Sequence, residues 1–172
     1  KLMKSKENLV FLGMMGSGKS SIGSLMSKKL NINFIDIDKE IEKKLGLKIP
    51  EIFEKKGEKY FRQIEEIETL KALKNKRTVI SLGGGAFLNN LIKKEVLENH
   101  ISFWLNWHAK TLIDRIKDSK KRPIAHRSSK SEIEELIKKR SIIYSKAMYK
   151  INCENLTKNQ IVKKIIEIYE AN

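Results

Sequence analysis

Residues 13–20 read GMMGSGKS, entered from the short apolar run NLVFLG (8–13) and left through SSIGSLMSKKL (20–30), whose apolar residues recur at helical spacing. No other stretch constrains the fold as much. It fits G-x-x-x-x-G-K-[ST] in the strand, turn, helix setting that this pattern requires. Glycines there let successive backbone N–H groups turn inward at a helix N-terminus and cradle phosphate oxygens, with the helix dipole adding attraction. Lys19 then reaches the β and γ phosphates of a nucleotide, and the Ser20 hydroxyl is placed to bind Mg²⁺. A nucleotide-binding chain of α/β class is the first expectation.

The rest of the sequence extends that unit. NFIDI reads as a second strand, followed by the helix KEIEKKLG with Gly46 as its stop. A helical region spans about 50–75, and TVISLGGG is a strand running into a glycine turn. A helix at 89–98, strand ISFWL (101–105), helix 108–117, a helix ending near 147, strand MYKIN and a final helix 157–170 complete the chain. Five strands alternating with helices predict a mostly parallel sheet covered on both faces, with ligands gathered at the carboxyl ends of the strands. The segment 118–131, DSKKRPIAHRSSKS, has little apolar content and reads as a loop of the kind that closes over a site.

Length and composition set bounds. The 172 residues, 40% hydrophobic, suit one domain over 1–172. No run of 18 apolar residues occurs and no secretory leader precedes the first strand, so a cytoplasmic protein without membrane contact is expected. The lone Cys153 reads as a small core residue. The net charge of +15 comes from 30 Lys against 6 Arg, the lysines scattered along helices among Glu partners. That pattern describes a solvated surface, and no specific nucleic-acid partner is expected. In a chain that prefers Lys, each Arg is a candidate for a place that needs a planar fork: Arg62, Arg77, Arg115, Arg122, Arg127 and Arg140, although Arg127 reads better as part of a solvated loop.

Two further clusters stand out. Gly83, Gly84 and Gly85 give up conformational entropy and offer no side chain, which makes sense where backbone must approach another group closely, or simply in a tight turn. In FIDID, Asp36 and Asp38 are half of the chain's four aspartates. Two apart on a strand, both carboxylates would face the phosphate edge, although Asp38 also suits the N-cap of the next helix. An Mg²⁺-dependent phosphotransfer site needs one carboxylate near the metal and another at the acceptor. His100 and His108 sit at element ends and read as surface residues.

GMMGSGKS, FIDID, GEKYFRQIE, SLGGGA and KRPIA, in this order and spacing, resemble the shikimate kinase family over essentially the whole chain. The resemblance implies a three-layer P-loop kinase fold, a five-stranded parallel sheet of order 2-3-1-4-5, a shikimate-binding helical region at about 38–75 and a lid at about 118–131. It implies ATP-dependent phosphorylation of the 3-hydroxyl of shikimate, on the route to chorismate and aromatic amino acids. ATP would be held by Gly13, Gly16, Ser17, Gly18, Lys19, Ser20, Ser21, Arg115 and Arg122, with Arg115 stacking on adenine and Arg122 closing over the transferring phosphate. Mg²⁺ falls to Ser20 and Asp36, and the acceptor hydroxyl to Asp38, with Lys19, Asp38 and Arg122 as the catalytic set. Arg62 and Arg140 match the pair that grips the shikimate carboxylate, Glu65 orients Arg62, Gly83, Gly84 and Gly85 offer backbone, and Phe53 and Phe61 wall the ring. Residues 154–159, in NCENLTKNQ, have no counterpart that frames adenine. A monomer with shikimate and ATP as its partners is expected. The nearest alternative is a related P-loop kinase for gluconate or a nucleoside monophosphate. A further one is a basic, nucleotide-switched protein that binds nucleic acid.

Overall fold

The structure, a computed structural model, describes residues 7–118 and 128–171. Five strands, β1 (Leu9–Leu12), β2 (Asn33–Asp36), β3 (Thr78–Ser81), β4 (Ile101–Asn106) and β5 (Tyr149–Asn152), form one parallel sheet in the order β2-β3-β1-β4-β5. The helices are α1 (Lys19–Leu30), α2 (Ile37–Leu45), α3 (Ile49–Lys56), α4 (Glu58–Leu73), α5 (Asn90–Asn99), α6 (Ala109–Lys117), α7 (Lys130–Tyr144) and α8 (Lys158–Ala171), with a 3₁₀ turn at Ala86–Leu88. The three-layer P-loop kinase fold is therefore the observed one.

β1 is apolar throughout because it is covered on both faces, and its alternation divides the core in two. Leu9 and Phe11 join Val79, Phe103 and Ile151 beneath α1 and α8. Val10 and Leu12 join Ile80, Trp104 and Tyr144 beneath the remaining helices. Cys153 is fully buried in the first of these cores. β1 pairs with β3 on one side and β4 on the other, so the loop that leaves it at Gly13 emerges mid-sheet, at the carboxyl edge.

Three details differ from the sequence expectations. The helical region near 50–75 is two helices, α3 and α4, because Gly57 takes φ 86 between them. β2 ends at Asp36 and α2 begins at Ile37, so the two aspartates of FIDID do not lie along one strand. The N-cap is Asp36, whose carboxylate accepts from the Lys39 N–H, and Asp38 stands in the first helical turn. The expected helix stop at Gly46 is present, at φ 66.

His100 is buried, not a surface residue. Its Nδ1 accepts from the Asn8 N–H at 3.1 Å and its Nε2 faces Glu95 at 3.2 Å. Asn8, also fully buried, donates through Nδ2 to the carbonyls of Leu73 and Asn75 and accepts through Oδ1 from the Thr78 N–H. The starts of β1, β3 and β4 and the end of α4 are thus joined at the amino edge of the sheet. His108 is exposed, as expected. Among the described residues no helix is long and apolar enough to cross a membrane.

Candidate active site

The phosphate loop fills the gap between β1 and α1. Gly16 and Gly18 take φ 84 and 88, a left-handed backbone that other residues adopt at a cost, and Gly18 in this conformation starts the helix. Lys19 is buried, and its Nζ donates to the carbonyls of Gly13 at 2.8 Å and Met14 at 3.0 Å. The Ser20 hydroxyl donates to Asp36 Oδ2, so the N-cap of α2 and the first turn of α1 meet at this edge. Ser21 lies beside them on the cleft wall. The first turn of a helix leaves its N–H groups without intrahelical acceptors, which makes Lys19, Ser20 and Ser21 natural anion donors.

Side chains from beyond β4 hold the loop from outside. Trp107 Nε1 donates to the Ser17 carbonyl at 2.8 Å, and Arg115 donates to the Gly16 carbonyl at 2.9 Å while its guanidinium lies over the Trp107 ring at 4.0 Å. Sequence reading did not single out Trp107. Its partner lies 90 residues away, and no local pattern reports such a contact. Glu154, left without a role by the sequence, accepts from the His108 N–H and from the Thr111 hydroxyl and so ties the turn after β5 to the start of α6.

A cleft of about 450 Å³ opens beside the loop. Ser20, Asp36 and Asp38 line one side, Phe53, Phe61, Arg62 and Glu65 another, and Gly83, Gly84, Gly85 and Arg140 close it. The rings of Phe53 and Phe61 meet with centroids 4.8 Å apart and form its apolar wall. Arg62 pairs with Glu65 at 2.8 Å, one turn along α4. Glu65 is 2% exposed, and burial raises its pKa even though Arg62 pulls the other way.

Each glycine of the triplet faces a different charged group. A Cβ on Gly83 would stand 2.7 Å from Glu65 Oε2 and 3.0 Å from Asp38 Oδ1. One on Gly84 would meet an Arg140 nitrogen at 3.3 Å, and one on Gly85 would meet the Arg62 guanidinium at 2.6 Å. Side chains at 83 and 85 would displace the ionic groups of the cleft, and one at 84 would crowd Arg140. The close approach inferred from sequence is therefore observed, with the partners now identified.

Several of these groups are buried without a protein partner. Asp38 Oδ1, Glu65 Oε2, and Arg140 Nε and NH1 are all sealed from solvent and make no hydrogen bond among the described residues. Arg140 is 4% exposed. Burial pushes the Asp38 carboxyl up to about 6, helped by Asp36 and Glu65 and opposed by Lys19. Unpaired buried groups cost stability and point to ligand binding. Among the described residues no cluster of three His, Cys, Asp or Glu side chains is arranged for a metal. A small hard cation held largely by phosphate oxygens and water needs only one or two protein oxygens, and Ser20 with Asp36 supplies that set.

Arg122 and most of segment 118–131 lie outside the described residues. Arg77, with φ 50 in the turn before β3, does not line the cleft, and Arg127 lies outside the described residues.

Sheet order, phosphate loop and acceptor cleft together define a P-loop small-molecule kinase, an enzyme that uses ATP. The chain belongs to the shikimate kinase family, whose model matches residues 15–170. It is 42% identical over 168 residues to the shikimate kinase of Bacillus subtilis (strain 168), covering 94% of this chain and 88% of that one. Among solved structures it superposes on shikimate kinase from Acinetobacter baumannii in complex with shikimate, with a TM-score of 0.92 at 29% identity, over 96% of this chain and 94% of that one. Shikimate kinase from Aquifex aeolicus gives a TM-score of 0.86 at 39% identity over 96% and 97%.

Proposed function

We propose that this chain transfers the γ-phosphoryl group of ATP to the 3-hydroxyl of shikimate, giving shikimate 3-phosphate and ADP. The observation that carries this reading is the charge layout of one cleft. Arg62 and Arg140 suit a carboxylate, Asp38 suits a hydroxyl, and a phenylalanine wall suits a small ring between them. Family membership and the likeness to a shikimate complex support the same substrate.

In-line transfer through a loose transition state relies on positioning and charge neutralisation more than on covalent chemistry. Arg62, held by Glu65, and Arg140 anchor the acceptor by its carboxylate. Asp38, ionised above about pH 6, accepts the hydrogen bond of the attacking hydroxyl and orients it toward the phosphate loop. Lys19 and the N–H groups of the loop neutralise the phosphates, and Arg122, by its match to the family motif KRPIA, contributes at the transferring group. Arg115, which lies over Trp107, would stack its other face on adenine. Mg²⁺ would be held by Ser20 and Asp36, and it would supply neutralisation of phosphate charge during transfer.

The test is a coupled ADP-release assay with shikimate, gluconate and AMP side by side. Shikimate-dependent release at least about a hundredfold above either alternative is expected, since AMP brings no carboxylate for Arg62 and Arg140, and open-chain gluconate, which has one, lacks the ring that the phenylalanine wall meets. Equal or greater release with gluconate or AMP would overturn the assignment.

A further inference from the structure

The glycine triplet needs an external support, and the structure supplies one that the family motifs do not mark. Two of its three carbonyls are held locally: Gly83 O accepts from the Ala86 N–H at 3.1 Å and Gly85 O from the Leu88 N–H at 3.2 Å. The middle one, Gly84 O, accepts from the hydroxyl of Tyr144, 60 residues away at the end of α7. Tyr144 is 1% exposed, its ring packs against Trp104 with centroids 6.0 Å apart, and its hydroxyl also lies 3.9 Å from Met14 Sδ in the phosphate loop. Arg140 stands one helical turn earlier on the same helix, its guanidinium beside the Tyr144 hydroxyl and against Gly84.

In a trans peptide the carbonyl of one residue and the N–H of the next point to opposite sides. Holding Gly84 O against Tyr144 therefore turns the Gly85 N–H away from α7, to the side where Arg62 and the cleft lie. Without side chains, a Gly-Gly peptide has little of its own to resist a flip. A flip here would present a carbonyl oxygen where the carboxylate-binding arginines face. We propose that Tyr144 is a positioning residue for the acceptor: its hydroxyl fixes the Gly84–Gly85 peptide so that a donor, not an acceptor, faces the substrate carboxylate. α7 then sets both the second arginine and the backbone donor of the acceptor site.

The inference rests on the shikimate reading, and its test separates the two. Tyr144→Phe keeps the ring and its packing and removes only the hydroxyl. Wild type that phosphorylates shikimate establishes the reading. Against that background, the variant is expected to raise the KM for shikimate about tenfold, with kcat and the KM for ATP changed less than twofold. Unchanged shikimate KM, or equal loss for both substrates, would overturn the proposal. A second readout needs no variant: in the wild type with ¹³C-labelled tyrosine, the Cζ resonance of Tyr144 should move on titration with shikimate and stay put with ADP. A resonance indifferent to shikimate would equally overturn it.

Discussion

The two edges of the sheet treat buried polar groups in opposite ways. At the amino edge, the side chain of Asn8 uses both donors and its acceptor oxygen, and its own N–H closes on His100. At the carboxyl edge, buried atoms of Asp38, Glu65, Arg140 and Ser17 have no partner among the described residues. Thr69, on α4, is the exception that belongs to neither edge. Comparable burial thus serves two ends. One edge spends its polar groups on holding strands together, and the other keeps them for a ligand at the expense of stability.

That contrast predicts opposite outcomes for mutations at the two edges. The largest effect falls on turnover. Asp38→Asn should lower kcat about a thousandfold while the Kd for ATP stays within twofold, read by steady-state kinetics beside nucleotide titration. Equal loss in both would remove Asp38 from the acceptor site. Next comes Asn8→Ala, which strands two carbonyls and one N–H; it should cost about 3 kcal/mol in urea unfolding and leave the kinetics of the folded fraction unchanged.

Arg62→Lys should raise the KM for shikimate roughly tenfold, since a point charge replaces a fork that Glu65 holds in place. A KM within twofold of wild type would show that the fork is dispensable. The smallest effect concerns pH. Burial lowers the pKa of His100 below 6.5, against the pull of Glu95, and its Nδ1 must stay unprotonated to accept from Asn8. The unfolded chain then binds the proton more readily, so this contribution is complete above pH 6.5 and is lost as pH falls through the folded value. His100→Gln should therefore flatten the loss of stability between pH 7.5 and pH 5, read by urea unfolding at the two pH values. An identical pH profile would mean that the bond to Asn8 carries little.

Much of this architecture was legible in the residues. The phosphate loop announces itself because its chemistry is local: glycines, Lys19 and Ser20 act within eight consecutive positions. Strand and helix order followed from periodicity, and the triplet of glycines signalled a close approach before the approaching groups were known. Contacts made across the fold were hidden. Tyr144, Trp107 and the Asn8–His100 pair each act on a partner 60 to 92 residues distant and carry no spacing that marks them. FIDID shows a third kind of difficulty. Its alternation predicts a strand through Asp38, but the chain turns helical at Ile37, and Asp36 both caps that helix and meets Ser20. The two carboxylates still reach one cleft, by a strand end and a helix start instead of a shared strand face.

The claim that the carboxyl edge gives up stability for binding is tested most directly by equilibrium urea unfolding of Asp38→Asn beside wild type at pH 7.5. Wild-type Asp38 is ionised there, although its folded carboxyl is raised to about 6, so the charge opposes folding. Removing the charge should raise the stability by about 1 kcal/mol with an unchanged denaturant slope, while shikimate turnover collapses. A variant that is less stable than wild type would contradict the account, because Asp38 would then be part of what holds the fold together.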